Sequence, residues 1–155
     1  MKKGVVDRLV SRYGTRDPFE LAKYTGRIVL NVPLSGFRGF YQYLHRCHII
    51  YVANDLTEFE MAFVCAHELG HSFLHTDLNA AFIDGRTRFA KARYEREADR
   101  FAIDLIMPDE RFSEFLYMPT HDIAQSLGIS DALVNYRLEQ IQMKFRCNNE
   151  IQNIS

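Results

Sequence analysis

Residues His67 to His71 read HELGH, inside a mostly apolar stretch from Leu56 to Leu74 that has the patterning of a long helix. No other feature constrains the chain as much. On a helix, side chains four apart share one face, with about 5–6 Å between their Cβ atoms. His67 and His71 can therefore hold one ion between them, each through a ring nitrogen at about 2.0–2.1 Å if the ion is zinc. Glu68 projects about 100° around the helix, where it can reach a water in an open position without becoming a ligand. Two neutral ligands beside a carboxylate base form the core of a zinc-dependent hydrolase. The same string can also arise in an exposed helix with solvated histidines, so the reading depends on a third ligand.

A second segment supplies one. Tyr94, Ala98, Phe101, Ala102 and Leu105 recur at helical spacing and predict an amphipathic helix from Tyr94 through Ile106. Glu95 and Asp99 are four apart and share one edge of its apolar stripe. Glu95 can complete a His-His-Glu site with the fourth position open. Asp99 can accept the free ring N–H of a metal-holding histidine and so fix its tautomer. Glu97 competes for the ligand role, but it lies about 200° around the helix from Glu95 and has no acidic partner four residues on. The reading takes Glu95. Asp99 also has a plainer reading, as a member of an exposed ion pair with Arg96 or Arg100 worth about 0–1 kcal/mol. Cys47, between His45 and His48, is an alternative ligand of the kind peptide deformylases use. It lacks a glycine-rich ligand loop, and an ordinary thiol is the favoured reading.

Beyond these motifs the chain resembles the ImmA/IrrE family of zinc metallopeptidases over nearly its whole length. The resemblance is carried by Tyr13 to Ala22, Gly39-Phe40-Tyr41, Ile49 to Asn54, Cys65 to His75, Glu95 to Ala102, the Leu105-Ile106-Met107-Pro108 stop, Ala124 to Ser130, and Arg137-Leu138. It implies His67, His71 and Glu95 as zinc ligands and Glu68 as catalytic base. It further implies a protein substrate, a helix-turn-helix repressor whose cleavage relieves repression of a mobile element or stress response. Val64-Cys65 and Thr25-Gly26-Arg27 depart from the usual family residues without touching a ligand.

Length and composition set the frame. A chain of 155 residues suits one domain, expected over residues 1–147 with a polar tail at 148–155. The net charge of −1 gives no electrostatic footprint for general nucleic-acid binding. Lys2 and Lys3 precede no apolar run of a signal peptide, and no stretch approaches the ~20 apolar residues of a membrane span. Three irregularly spaced cysteines read as thiols, which points to the cytoplasm. The expected fold is α+β and zincin-like, with a small antiparallel three-stranded sheet packed on the HELGH helix and a helical C-terminal part. Helices are expected over Val5 to Tyr13 and from Asp17-Pro18 to Gly26. Strands are expected over Ile28 to Val32, Gly39 to Leu44 and His48 to Ala53. The segment Thr76 to Lys91, with an Asp84-Gly85 turn signal, is either a gate over the site or a plain connection.

An open sheet edge would let an extended substrate add as a strand. Tyr94, His121 and His75 are all candidates for stabilising an oxyanion. Two other functions stay open: a non-catalytic antirepressor with a structural zinc, and a DNA-binding regulator. The second would use a helix-turn-helix-like segment in which Gly128 turns the chain and Ser130 caps a helix to Gln142. Its few basic residues favour a structural helical hairpin instead.

Overall fold

A computed structural model describes residues 4–75 and 87–152 and gives a mostly helical α+β architecture with one three-stranded mixed sheet. The chain divides into two compact units, one through Ile106 and one from Met107. The first contains α1 (Val5–Tyr13), α2 (Pro18–Tyr24), β1 (Arg27–Val32), β2 (Gly39–Leu44), β3 (Cys47–Ala53), α3 (Glu58–Leu74) and α4 (Thr87–Ile106). The second contains α5 (Asp109–Ser113), α6 (Thr120–Leu127) and α7 (Asp131–Gln152).

Local chemistry sets the helix starts. The Asp17 carboxylate accepts from the Phe19 and Glu20 backbone N–H groups, and Pro18 takes the first helical position, where no N–H is needed. At α3, Thr57 and Glu60 form a reciprocal capping box that satisfies two otherwise orphaned donors. The far end of α4 is closed by Arg16, whose guanidinium donates to the Asp104 and Leu105 carbonyls at 2.9 and 3.2 Å.

The strand pattern suggests a fully antiparallel sheet, and here the structure differs. The spatial order is β1-β3-β2, with β2 antiparallel and β1 parallel to β3. The reason lies in the connection after β1. Val32 pairs with Ala53 and Gly39 with Val52, so residues 33–38 cross the end of β3 and leave it between its two partners. Strand direction still alternates along the chain, but first and third strands as neighbours must run parallel. The β2–β3 hairpin turns through His45 and Arg46 at φ of 50° and 65°, the type I′ sense that matches strand twist.

The backbone polarity of β2 bears on the site. Ala53 N–H donates to the Arg38 carbonyl at 2.8 Å. Bonded and non-bonded pairs alternate in an antiparallel ladder, so Phe40 and Gln42 turn their backbone groups to β3. Gly39, Tyr41 and Tyr43 turn theirs to the outer edge.

Helix α3 is the centre of the first unit, packed by α4, α2 and the sheet. Val64, Cys65, Ala66 and Leu69 are buried, as are Ala98, Phe101, Ala102 and Leu105 of α4. Two glycines permit the closest approaches. A Cβ on Gly70 would sit 3.0–3.2 Å from the Phe101 side chain and wedge α4 away from α3. One on Gly39 would sit 2.4 Å from Val64 Cγ1 and 2.7 Å from the Tyr51 carbonyl oxygen, so only glycine lets β2 lie this close. Helix α4 begins at Thr87, earlier than the expected Tyr94, because its first two turns continue a helix whose apolar stripe becomes regular only later. Residues 87–91 of the suggested gate are therefore helical, and the rest of it, with Asp84-Gly85, lies outside the described residues.

In the second unit, α6 and α7 form a helical hairpin. Gly128 ends α6 in the left-handed region, and the Ser130 hydroxyl accepts from Leu133 N–H at 3.2 Å. Ile123, Ala124, Leu133, Val134 and Ile141 are buried. Helix α7 extends to Gln152, well past the expected Gln142. Among the described residues, no helix is long and apolar enough to cross a membrane.

Candidate metal centre

The last turns of α3 and the middle of α4 face one another, and three side chains converge between them. His67 Nε2 and His71 Nε2 are 3.1 Å apart. The Glu95 carboxylate lies 3.2 Å from His67 Nε2 and 3.7 Å from His71 Nε2. Two ligand atoms each about 2.0–2.1 Å from a tetrahedral ion are separated by about 3.3 Å. The spacings of 3.1, 3.2 and 3.7 Å bracket that value, the last two running to the Oε2 and Oε1 oxygens of Glu95, and one ligand atom from each residue lies within 4.8 Å of the others, so the three can hold one metal ion. Glu97 does not join them. Its carboxylate accepts from Arg93 Nε at 2.8 Å and lies 2.8 Å from His75 Nε2.

Hydrogen bonds behind the site prepare it for a cation. His67 Nδ1 is 2.8 Å from Asp99 Oδ1. A carboxylate only accepts, so Nδ1 carries the hydrogen and the Nε2 lone pair is left for the centre. Burial opposes a charge on His67, but its bonds to Asp99 and Glu95 and the charge of Glu68 outweigh that and raise its pKa to about 10, so with no ion bound Nε2 carries a proton toward Glu95, and a bound cation would take that proton's place. Hydrogen bonds to His67 and then His71 hold the Glu95 carboxyl far below its ordinary range. The pocket thus favours positive charge, and the donor set of two imidazoles and a carboxylate suits a divalent metal.

Glu68 is buried and takes no part in the triangle. Burial is the main influence on its carboxyl and raises its pKa, against the lowering effects of His67, His71 and a hydrogen bond from the Tyr41 backbone N–H. That N–H is one of the groups β2 turns to its outer edge, so Glu68 and the edge of β2, which pairs with no further strand among the described residues, meet at one residue. The close packing of Gly39 on Val64 brings them together.

The other sequence candidates are placed as follows. His75 is buried, with Nδ1 3.0 Å from His71 Nδ1 and its ring 4.4 Å from that of Tyr94 between centroids. His121 is in the second unit, exposed beside Asp131 at 3.4 Å. Cys47 and Cys147 are exposed and Cys65 is buried, all as free thiols. The sequence reading misses the pairing of His75 with Glu97 and the role of Tyr41. The four-residue step from His71 to His75 is a signal for the first, while nothing local signals the second.

A helix pair with a His-His-Glu triangle and a buried glutamate one residue after the first histidine defines a metallopeptidase-like centre. Comparison with known proteins gives the family. Residues 16–139 match the family described as IrrE N-terminal-like domain, Peptidase_M78. The chain is 40% identical over 138 residues to "Uncharacterized immunity region protein 2" of Bacillus phage phi105, covering 87% of each. It is 28% identical over 145 residues to "Metallopeptidase ImmA" of Bacillus subtilis (strain 168), covering 90% of this chain and 85% of that relative. The chain belongs to the IrrE N-terminal-like metallopeptidase family.

Proposed function

We propose that this protein is a zinc-dependent endopeptidase that cleaves a helix-turn-helix repressor in the cytoplasm and so relieves repression of a mobile element or a stress response. The carrying observation is the triangle of His67, His71 and Glu95, with edges suited to a tetrahedral ion. The names of the phage and bacterial relatives support a repressor-related role and a metallopeptidase activity. The family match runs through both compact units, which supports residues 1–147 acting as one metallopeptidase domain.

In this reading His67, His71 and Glu95 hold the zinc and Asp99 orients His67. Zinc, when bound, supplies a Lewis acid that polarises the scissile carbonyl and acidifies water. Glu68 takes a proton from the attacking water and returns it to the leaving amine. A carboxyl raised by burial is suited to both tasks, and the Tyr41 N–H keeps it aimed. An extended substrate segment pairs with the backbone groups that Gly39 and Tyr43 turn to the outer edge of β2.

The test uses Glu68→Gln with purified candidate repressors. The endopeptidase reading expects the variant to keep its zinc and lose cleavage. Full relief of repression by the variant would instead mean a non-catalytic antirepressor. Salt-dependent retardation of DNA by the wild type alone would mean a DNA-binding regulator.

A further inference from the structure

The two histidines of the triangle are supported differently. His67 is backed directly by a carboxylate, Asp99. Among the described residues, the partner of His71 Nδ1 is a second histidine, His75, at 3.0 Å. The far nitrogen of that histidine, Nε2, lies 2.8 Å from Glu97, which is itself held by Arg93.

Hydrogen placement along this chain has one solution compatible with metal binding. Glu97 accepts, so His75 Nε2 carries the hydrogen. A neutral His75 then has a bare Nδ1, which can only accept, and so His71 Nδ1 must be the donor. His71 Nε2 is left without a hydrogen and faces His67 Nε2 and Glu95. Reversing the direction would put the hydrogen on His71 Nε2 and block it as a ligand. The anchoring carboxylate decides which arrangement prevails. Burial of the His75 side chain, 2% exposed, keeps water from offering an alternative partner.

We propose that Glu97 and His75 form a positioning relay that acts through His71, fixing the tautomer and orientation of that ring for the metal. The inference rests on the metallopeptidase reading above, since it presumes an ion at the triangle. It gives Glu97 a function distinct from ligation. It also makes the site depend on two carboxylates of α4 that never touch the ion: Asp99 for His67, and Glu97, through a second imidazole, for His71.

A double-mutant cycle tests it. Zinc affinity is measured on the full chain by competition with a chromophoric chelator, for wild type, Glu97→Ala, His75→Phe and the double variant. Phenylalanine keeps the ring against Tyr94 but has no nitrogen to accept from His71. Losing a partner of this kind weakens metal binding about 10–100-fold. Each single variant is expected to show that loss. The double variant should be no weaker than His75→Phe by more than about twofold, because Glu97 acts only through His75. Metal-free Glu97→Ala should melt below wild type, because it leaves the buried His75 Nε2–H without an acceptor, so affinities are compared at a temperature where both proteins are folded.

Wild-type affinity in Glu97→Ala would overturn the relay. So would an equal loss from Glu97→Ala in both backgrounds, which would mean a through-space charge effect. Should His75→Phe fail to fold, the single Glu97→Ala comparison still decides. A wild type that binds no zinc strikes the metallopeptidase reading itself. A wild type that binds zinc beside an unaffected Glu97→Ala strikes only the relay.

Discussion

Replacing Gly39 by alanine adds one methyl group far along the chain from every proposed ligand, yet the geometry predicts a disproportionate effect. The new Cβ would sit 2.4 Å from Val64 Cγ1 and 2.7 Å from the Tyr51 carbonyl oxygen, with Glu68 Cγ at 3.6 Å. Ordinary carbon–carbon contact needs about 3.5–4.0 Å, so β2 must retreat from α3 by about 1 Å. The Val64 methyl can rotate, but the Tyr51 carbonyl belongs to the ladder that holds β2 to β3 and cannot. Overpacking of this kind costs about 1–3 kcal/mol. At about 4–8 °C per kcal/mol for a unit of this size, melting should fall by at least several degrees. The same retreat withdraws the Tyr41 N–H from Glu68, while His67, His71 and Glu95, held by α3 and α4, stay in place. Gly39→Ala should therefore keep its zinc, melt earlier and cleave its substrate at least tenfold more slowly. Thermal melting, zinc content and cleavage rate on one preparation check this. A variant that melts within a degree of wild type and cleaves at the same rate would refute the claim that β2 packing positions Glu68.

Asp99→Ala removes the acceptor that fixes the His67 ring and should weaken zinc about 10–100-fold in chelator competition, although all three proposed ligands are still present. In the second unit, Asp109 accepts from Lys144 and, at 2.7 Å, from the buried Arg137, which also donates to the Met107 carbonyl. Burial pushes the Asp109 carboxyl up, but the hydrogen bonds from Lys144 and Arg137 outweigh it and hold the pKa below its ordinary value. A depressed carboxylate contributes stability that is full above its unfolded pKa of about 3.9 and is lost as pH falls through the folded value. Asp109→Ala should thus cost about 1–2 kcal/mol near pH 7, discounted because Asp109 is a third exposed. Faster hydrogen exchange of α7 amides reports it, and the gap from wild type should close only below about pH 4.

Much of the site is legible in the chain because helical spacing is a local property. HELGH puts His67 and His71 on one face, and the Glu95–Asp99 step puts a carboxylate and its neighbour on another. Convergence of His67, His71 and Glu95 follows once the two helices pack. The helix start at Asp17-Pro18 and the turn at Gly128 are equally local. What escapes the sequence is set by packing between distant elements. Strand spacing gives the direction of β1, β2 and β3 but not that β3 lies between the others. The outward N–H of Tyr41 follows from ladder register, and the need for glycine at position 39 follows from a neighbour on α3. Glu97 looks like a rejected ligand until the position of His75, one turn beyond His71, gives it a partner.

The most direct measurement is zinc per chain in protein purified without added metal, with Glu95→Ala alongside. The account predicts about one zinc in the wild type and loss of most of it in the variant. A wild type that carries no zinc and takes none up, or a Glu95→Ala variant that keeps a full complement, would contradict the His67, His71 and Glu95 centre.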